Sequence, residues 1–426
     1  MSRTLESVAD ELRGTTPAQL DLTTGDHLDQ LHSAADRLLD WRRDAEFLDE
    51  LEQQLFRGDA ESSLGAHVSV KLARAKALVQ RLRGPRHLSV VFAVYKEHQR
   101  ILPRSEHEIG EDFLRCKLRQ LEWQFDSSPE FGWDLTVVDD GCPEGSGAIA
   151  EEILAGERLG ARARVLYLQD AIEQGHPIAS SLRSTDDSQK GASIEYGMAR
   201  VIEEQRNNHI VVYTDADLST SLAQVGLLID VIECGGADAA IGSRRQPTSV
   251  AVKRGQRNVR GKLFIFLWKR LLLPLRYITD TQCGFKAFRA EVVRDILEDV
   301  REKKFAFDLE LLLKTELRRP ESIARIPIAW IDSEAASTTF DIGPYLSMLE
   351  GIVAMYRRLL PANSEADAYA AFIESLDEAA WQRLLEAVPS AIADGDPRTF
   401  DACELVDIED LRRGLGQVGD RETGDS

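Results

Sequence analysis

The sequence predicts an α/β protein with a mostly parallel, Rossmann-like sheet flanked by helices, and with helical extensions at both ends. From Leu88 onward, short apolar runs alternate with helical stretches, which is the pattern of a doubly wound parallel sheet. Before that point, leucines recur at helical spacing. After Leu359 the chain becomes acidic, with sixteen acidic and five basic residues over 360–426. We therefore expect a helical N-terminal region (1–85), an α/β domain (86–360) and an acidic, partly helical C-terminal region (361–426).

Composition excludes several classes of protein. The 426 residues are 43% hydrophobic and 29% charged, which suits a soluble globular protein. A formal charge of −20 argues against a generic nucleic-acid binder, whose surface is basic. No run of about 18 uncharged apolar residues is present, and the N-terminus lacks the apolar core of a signal peptide. With five scattered cysteines, none at metal-binding spacing, we expect a cytoplasmic protein with reduced thiols.

The N-terminal region contains three predicted helices. Apolar residues at helical spacing mark two of them, over 28–39 and 47–55, and a third is predicted over 67–82. Gly84 and Pro85 form a turn signal that ends the region.

The α/β domain follows with alternating elements. The predicted strands span 88–94, 133–138, 163–168, 209–214 and 237–241, and the predicted helices between them span 106–125, 146–155, 192–206 and 221–234. After Arg245 the alternation stops. The elements predicted beyond it are a helical stretch (257–277), a loop (279–286), helices at 291–300 and 307–318, a strand (324–331) and a helix (344–359).

The apolar stretch 263–275 within the first of these elements has two interpretations. Lys269 and Arg270 interrupt it, and Pro274, Arg276 and Tyr277 end it, which is typical of a helix at a membrane interface. A helix that is apolar on all sides is equally consistent with burial in a protein core.

Acidic residues follow the second and fourth predicted strands. Ligands of such sheets bind where the strands end, so Asp139 and Asp140 are expected to share an edge with Asp215 and Asp217. Two carboxylates spaced Asp-x-Asp can share one Mg²⁺ ion, which prefers one or two carboxylates together with phosphate oxygens. The alternative for an isolated Asp-x-Asp is a loop acid or a helix cap.

These residues resemble the motifs of the family 2 glycosyltransferases, which have the GT-A fold. The matching segments are Ala93-Val94-Tyr95-Lys96-Glu97, Val138-Asp139-Asp140-Gly141-Cys142, Lys190-Gly191-Ala192-Ser193, Asp215-Ala216-Asp217 and Ile241-Gly242-Ser243-Arg244. Two later segments look like the dolichyl-phosphate β-glucosyltransferase branch, and they are Asp280-Thr281-Gln282-Cys283-Gly284-Phe285-Lys286 and Phe305-Ala306-Phe307-Asp308-Leu309-Glu310. The resemblance covers about 88–359 and neither end of the chain.

The resemblance implies a role for each matched residue. Donor binding falls to Tyr95, Glu97, Asp139, Asp140, Lys190, Asp215 and Ser243. Metal binding, with Mg²⁺ or Mn²⁺, falls to Asp215 and Asp217. The catalytic candidates, facing the phosphates, the sugar or the acceptor, are Arg244, Asp280 and Gln282. For Phe285, Phe305 and Phe307 we favour core packing, and Asp280 has the alternative of a loop or cap residue.

The sequence departs from the family pattern at three points. Ala93 and Lys96 replace the usual Pro and Asn. About twenty extra residues, 170–189, precede Lys190, and their Ser and Asp content predicts a mobile loop over the donor site. The hydrophobic anchor that lipid-acceptor members often carry is not visible.

The acceptor is inferred from charge. Residues 250–290 hold ten basic residues and one acidic residue, which indicates an anionic ligand or membrane surface, or else a solvated helix face. All eight histidines lie at or before His209, so a hydroxyl acceptor would need a carboxylate base, with Asp280 and Asp308 as candidates. A phosphate acceptor needs cations instead, and the available ones are Arg254, Arg257, Arg260 and Lys262.

We therefore expect an inverting, metal-dependent glycosyltransferase that moves glucose from UDP-glucose to a polyprenyl or dolichyl phosphate. Such an acceptor would make the protein peripheral on the cytoplasmic face of a membrane. One alternative keeps the donor chemistry and uses a soluble metabolite or a glycan as acceptor. A lower alternative is a non-catalytic nucleotide-sugar-binding scaffold protein. The sequence specifies no oligomeric state.

Overall fold

The computed structural model describes residues 4–57, 63–157, 159–252, 258–332, 343–401 and 406–422. Contacts between residues group the chain into two compact units, each built from three segments. The first unit holds 1–254, 282–299 and 321–337, and the second holds 255–281, 300–320 and 338–426. The division into three regions expected from the sequence stays a prediction.

The strands all belong to the first unit. They are β1 (Arg86–Val94), β2 (Phe131–Asp139), β3 (Ala163–Tyr167), β4 (His209–Thr214), β5 (Ala239–Ser243), β6 (Val250–Val252), β7 (Phe285–Arg289), β8 (Ile323–Pro327) and β9 (Ala329–Ile331). Seven of them form one sheet in the order β3-β2-β1-β4-β7-β5-β8, and β6 pairs with β9. All neighbours are parallel except β7, which runs antiparallel to β4 and β5. The predicted α/β class with a mostly parallel sheet is confirmed.

The helices of the first unit are α1 (Leu5–Thr15), α2 (Gly25–Trp41), α3 (Ala45–Phe56), α4 (Leu64–Gln80), α5 (Phe113–Phe125), α6 (Ser146–Gly156), α7 (Leu168–Glu173), α8 (Gly191–Glu203), α9 (Val225–Glu233) and α11 (Ala290–Leu297). Those of the second unit are α10 (Asn258–Leu271), α12 (Phe307–Arg318), α13 (Gly343–Leu359), α14 (Ser364–Glu374), α15 (Glu378–Glu386), α16 (Ser390–Ala393) and α17 (Ile408–Glu422).

Helices cover both faces of the sheet. Successive side chains of β1 point to opposite faces, so each face has its own contacts with a helix. Val91 faces α8, where a Cβ at Gly197 would lie 2.4 Å from it, so only glycine allows this close approach. Phe92, the next residue, faces the other way and contacts the ring of Phe113 on α5 at 6.1 Å. The carboxyl ends of β1, β2, β3 and β4 therefore meet at one open edge between the two helical layers.

The N-terminal helices are part of the first unit. Helix α4 is buried along nearly its whole length and packs against α2, α3 and α9. Its interior position explains why its sequence is apolar on several sides rather than along one stripe. Lys71 on this helix is buried, and its ammonium group bonds the carboxylate of Glu52 on α3.

Several elements differ from the sequence expectation. Strands β6 and β7 were not predicted, since β6 has three residues and β7 contains the charged Lys286 and Arg289. The predicted strand 324–331 is divided between two sheets, because Pro327 lacks the N–H needed to continue the ladder. The helix predicted from 106 begins only at Phe113, after a series of turns that ends in the left-handed residue Asp112.

The inserted segment 170–189 is folded rather than an extended loop. It includes most of α7 and two short 3₁₀ turns, Pro177–Ala179 and Thr185–Asp187. The mobility of this segment stays a prediction, and the hydroxyl of Ser188 within it donates to the carboxylate of Asp140, which follows β2.

The second unit is helical, with α10 in its interior. Leu263, Phe266, Leu267 and Trp268 have no exposed surface, and α10 packs against α13, α14 and α16. Of the two interpretations of this stretch, the buried helix describes the structure. Across the described ranges, no helix combines the length and the apolar character required to span a bilayer.

Candidate active site

The two aspartates that follow β2 accept hydrogen bonds from nearby backbone N–H groups and hydroxyls. The carboxylate of Asp139 accepts hydrogen bonds from the backbone N–H groups of Cys142 (2.8 Å) and Gly147 (2.7 Å), which fixes the turn that begins α6. The carboxylate of Asp140 accepts bonds from the hydroxyls of Ser188 (2.7 Å) and Ser193 (2.6 Å). Burial raises the pKa of Asp140, although these hydrogen bonds oppose the effect.

Asp140 also positions Lys190. Its second carboxylate oxygen accepts the backbone N–H of Lys190 at 2.8 Å. Lys190 has φ = 78°, a left-handed conformation that is rare for a residue with a side chain, and it precedes the first turn of α8. The hydrogen bond to Asp140 stabilises this conformation and fixes the origin of the lysine side chain at the edge of the sheet.

Gly141 explains how the inserted segment reaches the site. It has φ = 75°, and a Cβ there would lie 2.1 Å from the hydroxyl oxygen of Thr185. Only glycine permits both the backbone conformation and this close approach. The 3₁₀ turn Thr185–Asp187 thus packs directly on the turn after β2.

Asp215 and Asp217 follow β4, as predicted. The Lys190 ammonium bonds Oδ1 of Asp215. Burial alone would raise the pKa of Asp215. The positive charges of Lys190, Lys286 and Lys117 outweigh burial and lower this pKa. Burial and the like charge of Asp215 raise the pKa of Asp217, whose Oδ1 also accepts the N–H of Ser219 at 3.0 Å. The bond to Ser219 closes a local turn and is not a helix cap, since the next helical turn, Leu222–Gln224, is capped by Ser221.

Strand β7 brings Gly284 against the first of these carboxylates. The N–H of Asp215 donates to the carbonyl of Gly284 at 3.1 Å, and a Cβ at Gly284 would lie 2.1 Å from Oδ1 of Asp215. Because β7 is antiparallel to β4, its first residue, Phe285, pairs with Thr214 at the end of β4. The Cys-Gly-Phe-Lys part of the late motif thus lies beside Asp215.

Two further cations and two further carboxylates complete the surroundings of Asp215 and Asp217. The guanidinium of Arg100 bonds Glu111 through Nε (3.2 Å) and Nη2 (3.4 Å), contacts Glu97 at 3.2 Å and lies 3.8 Å from Asp217. The buried Lys117 ammonium donates to the carbonyl oxygen of Asp217 at 2.8 Å.

Burial shifts the pKa of two of these groups. It raises the pKa of Glu97 to about 7, although the charge of Arg100 opposes it. It lowers the pKa of Lys117 to about 8, in spite of the nearby carboxylates of Asp217 and Asp215. We use the name charge cluster for the eight residues that interact electrostatically here, which are Glu97, Arg100, Glu111, Lys117, Lys190, Asp215, Asp217 and Lys286.

The carboxylates of Asp215 and Asp217 suit a divalent cation whose remaining coordination positions are filled by a bound ligand. Asp215 and Asp217 supply two neighbouring carboxylates. In the described ranges, no group of three or more His, Cys, Asp or Glu side chains gathers as a metal site. Mg²⁺ commonly binds through one or two carboxylates with phosphate oxygens and water completing the octahedron, so the two aspartates fit such an ion when a phosphate ligand is present.

The other predicted residues of the first unit lie near the ends of neighbouring strands, outside the charge cluster. Tyr95 follows β1 and is 47% exposed. Ser243 ends β5 and is buried, and its hydroxyl accepts the N–H of Arg245 at 3.2 Å. The guanidinium of Arg244 lies 4.9 Å above the ring of Trp330. Gln282 is partly buried, and its side-chain N–H₂ has no hydrogen-bond partner among the residues described.

The remaining predicted residues belong to the second unit or lie outside the described residues. Asp280 is buried in the second unit, as are Phe307 and Asp308, and Arg260 is partly buried there. Lys262 donates to the carbonyl oxygen of Ala393 at 2.8 Å, so this lysine has a structural partner. The predicted phosphate ligands Arg254 and Arg257 lie outside the described residues. Core packing is observed for Phe285 in the first unit.

Sequence reasoning missed four members of the charge cluster, which are Arg100, Glu111, Lys117 and Lys286. A usable signal exists for Lys117, since it stands between Phe113 and Leu121 at spacings of four on the apolar face of α5. A charged residue at such a position is buried and needs a partner. The signal for Lys286 is weaker. This lysine lies within the late motif, but the resemblance implies roles only for Asp280 and Gln282 of that motif.

Comparison with known proteins gives relatives of one kind. No protein-family model matches the chain. It is 29% identical over 273 residues to a dolichyl-phosphate β-glucosyltransferase of Drosophila melanogaster, covering 62% of this chain and 71% of that protein. It is 28% identical over 222 residues to an undecaprenyl-phosphate mannosyltransferase of Micrococcus luteus, covering 51% and 79% respectively.

A third relative is much longer. The chain is 28% identical over 243 residues to the glycosyltransferase AglD of Haloferax volcanii, which covers 57% of this chain but only 33% of that protein. The chain thus spans about a third of the length of this relative. Among solved structures, glucosyl-3-phosphoglycerate synthase of Mycobacterium tuberculosis with Mn²⁺ and UDP superposes with a TM-score of 0.46 at 16% identity, over 68% of this chain and 85% of that one.

The relatives confirm the resemblance that the motifs indicated. Proteins named as glycosyltransferases match between 222 and 273 residues of the chain, and their names include both glucosyl and mannosyl transfer. The enzyme class expected from the sequence is confirmed with them. The chain is a homologue of the dolichyl-phosphate β-glucosyltransferases and polyprenyl-phosphate mannosyltransferases of glycosyltransferase family 2.

Proposed function

We propose that the protein transfers glucose from UDP-glucose to a polyprenyl phosphate, with inversion at the anomeric carbon. The observation that carries this proposal is the pair Asp215 and Asp217 at the end of β4, with Lys190 bonded to the first of them. The named relatives support the sugar and the acceptor, since several are dolichyl-phosphate β-glucosyltransferases.

The chemistry requires stabilisation of a departing diphosphate. An oxygen of the acceptor phosphate attacks the anomeric carbon, the bond from that carbon to the UDP oxygen breaks, and its electron pair leaves with UDP. A divalent cation held by Asp215 and Asp217 would neutralise the charge that develops on the diphosphate. Lys190, whose backbone is fixed by Asp140, is available to approach the same oxygens. The acceptor phosphate is already anionic and needs no general base.

The test measures transfer of labelled sugar. The full chain is incubated with UDP-[¹⁴C]glucose, Mn²⁺ and a polyprenyl phosphate in detergent, and label is counted in the organic phase. We expect lipid-linked label that is lost on addition of EDTA and in Asp217→Ala. Transfer that persists in EDTA and in this variant would contradict the proposed metal site, and label confined to the aqueous phase would contradict the lipid acceptor.

A soluble phosphorylated acceptor is the second candidate, and the second unit favours it. The apolar helix α10 is covered by protein, with Phe266 contacting the rings of Tyr369 (6.2 Å) and Phe400 (6.0 Å). The ammonium of Lys269 donates to the carbonyl of Pro397 at 3.2 Å, so this cation is turned toward the protein. The apolar stretch that the sequence offered as a membrane-interface helix is therefore covered by protein.

Liposome flotation separates the two acceptors. Vesicles with and without anionic lipid are floated with the protein, and the same preparation is assayed with a panel of soluble phosphorylated metabolites. Flotation together with organic-phase label supports the polyprenyl phosphate. Protein that stays at the bottom of the gradient and glucosylates a soluble phosphate supports the second candidate.

A further inference from the structure

By formal charge, the charge cluster holds as many acidic as basic side chains. Four carboxylates (Glu97, Glu111, Asp215 and Asp217) stand among four cationic side chains (Arg100, Lys117, Lys190 and Lys286). A divalent cation that enters this balanced cluster by itself gains little from the net field and loses part of its hydration shell. The balance therefore disfavours binding of the metal ion alone.

Lys190 differs from the other three cations in its accessibility and its bonds. Lys117 and Lys286 are buried and donate to backbone carbonyls, of Asp217 (2.8 Å) and of Cys283 (2.6 Å). Arg100 is held in two hydrogen bonds by Glu111. The side chain of Lys190 is 30% exposed, and its ammonium bonds a carboxylate oxygen that a metal ion would use.

The backbone of Lys190 remains fixed while its side chain can turn. Its N–H is held by Asp140, and the flanking hydroxyls of Ser188 and Ser193 bond the same carboxylate. A lysine side chain has several rotatable bonds and a strongly hydrated ammonium group. It can therefore leave Asp215 for a nearby diphosphate without any change in the loop that carries it.

On the basis of the proposed function, we infer that Lys190 occupies the cation site at Asp215 in the absence of donor and moves to the diphosphate when the donor binds. The diphosphate supplies the negative charge that the balanced cluster lacks, and the departure of the ammonium frees the oxygen of Asp215 for the metal ion. Metal binding is consequently conditional on the nucleotide. Because binding free energies are linked reciprocally, Mn²⁺ raises the affinity for UDP by the same factor.

The experiment measures Mn²⁺ binding directly, by loss of the free-ion EPR signal, with and without saturating UDP. We expect the wild-type protein to bind Mn²⁺ at least tenfold more tightly with UDP. In Lys190→Met the oxygen of Asp215 is free, so binding of Mn²⁺ without UDP should tighten at least tenfold and the dependence on UDP should shrink. Lys190→Arg keeps the cation and should keep the dependence.

Arg183→Met is the matched control. Arg183 lies in the inserted segment that precedes Lys190, and its side chain is 89% exposed. Its ion pair with Asp187 (2.9 Å) is separate from the charge cluster. Its loss frees a carboxylate elsewhere, so Mn²⁺ binding should equal that of the wild type. Thermal unfolding of each variant checks that the fold is retained.

The outcomes separate this inference from the proposed function. Wild-type protein that binds Mn²⁺ with UDP, together with Lys190→Met that gains no affinity without UDP, overturns the role of Lys190 and leaves the proposed function standing. Equal wild-type affinity for Mn²⁺ with and without UDP also overturns it. Failure of every variant to bind Mn²⁺ in the presence of UDP overturns both.

Discussion

Two groups of charged side chains in the first unit resemble each other in composition but differ in how completely their charges are paired. Between α3 and α4, Arg74 joins Glu52 (2.8 Å) to Asp49 (2.9 Å), and Lys71 bonds Glu52 and the carbonyl of Pro327 (3.2 Å). We call these four side chains (Asp49, Glu52, Lys71 and Arg74) the helical ion cluster. Each charge in it has a short, direct partner of opposite sign.

The charge cluster at the sheet edge is held less tightly. Arg100 stands 3.8 Å from Asp217, like charges raise the pKa of Asp217, and burial raises the pKa of Glu97 to about 7. Like charges held close together favour a ligand that neutralises them, whereas each charge of the helical ion cluster already has a partner of opposite sign. This difference is what we expect between the proposed binding site and a structural ion network.

The largest effect is expected from breaking the charge cluster at Asp217. Asp217→Asn removes one of the two proposed metal-binding carboxylates, and we expect the transfer rate to fall by about 10³-fold, which is roughly 4 kcal/mol of barrier. The free energy of unfolding in urea should stay the same or rise, since a like-charge repulsion with Asp215 is lost.

The control for this change is Asp126→Asn, which removes a half-exposed partner of Lys76 at 3.0 Å, far from the proposed chemistry. It should leave the rate unchanged. A rate in Asp217→Asn within tenfold of the wild type would contradict the functional interpretation of the charge cluster.

The helical ion cluster should show the opposite response. Glu52→Gln leaves the buried ammonium of Lys71 without its counter-charge, and we expect the free energy of unfolding in urea to fall by about 3 kcal/mol. At a temperature where the variant is folded, its transfer rate should match the wild type. A normal stability with a lost rate would show that this cluster is functional and not structural.

The approach of β7 to Asp215 gives the next prediction. Gly284→Ala places a Cβ about where Oδ1 of Asp215 lies, since the two atoms would be 2.1 Å apart. Displacement of this carboxylate should lower the transfer rate by about 10²-fold. Gly156→Ala is the control, because a Cβ at Gly156 meets no atom within 4 Å. Equal rates for both variants would remove the requirement for glycine beside Asp215.

The smallest expected effect concerns Glu97 and pH. Because burial raises its pKa from 4.5 to about 7, the folded protein holds this proton more tightly than the unfolded chain. The resulting stability is fully present below pH 4.5 and is lost as the pH rises through about 7. Between pH 5 and pH 8 the loss is about 2 kcal/mol. This is less than the roughly 3 kcal/mol of the full shift, because the unfolded chain has already lost part of this proton at pH 5.

Urea unfolding at pH 5 and pH 8 tests this sign. Glu97→Gln cannot lose the proton, so the stability of this variant relative to the wild type should be greater at pH 8 than at pH 5. Glu108→Gln, at an exposed position, should follow the wild type at both values. A difference that is constant with pH would contradict the raised pKa.

The sequence predicted the parts of the fold that have long, regular patterns. Strand β4 was placed at its observed limits, and α6, α8 and α12 to within a few residues, because apolar periodicity decides such elements. The short antiparallel strand β7 was missed since Lys286 interrupts its apolar pattern, and its burial depends on contacts with β4 and β5 that are distant in the chain.

The candidate site was predictable to a similar extent. The carboxylates stand directly after strands, so chain position alone places them at the edge of the sheet. Their cationic partners do not follow this rule. Arg100 and Glu111 flank a series of turns and meet only through tertiary folding, and Lys117 comes from a helix. The hydrogen bond that Asp140 accepts from Ser188 depends on the conformation of the inserted segment.

The position of β5 has a consequence for synthesis of the chain on the ribosome. Both strands that pair with β5 come later in the sequence, β7 at Phe285–Arg289 and β8 at Ile323–Pro327. While translation passes through the intervening residues, both edges of β5 remain open to pairing with other nascent chains. Delay at this stage should increase the demand for chaperones, and a pause in translation before residue 285 would prolong the exposure.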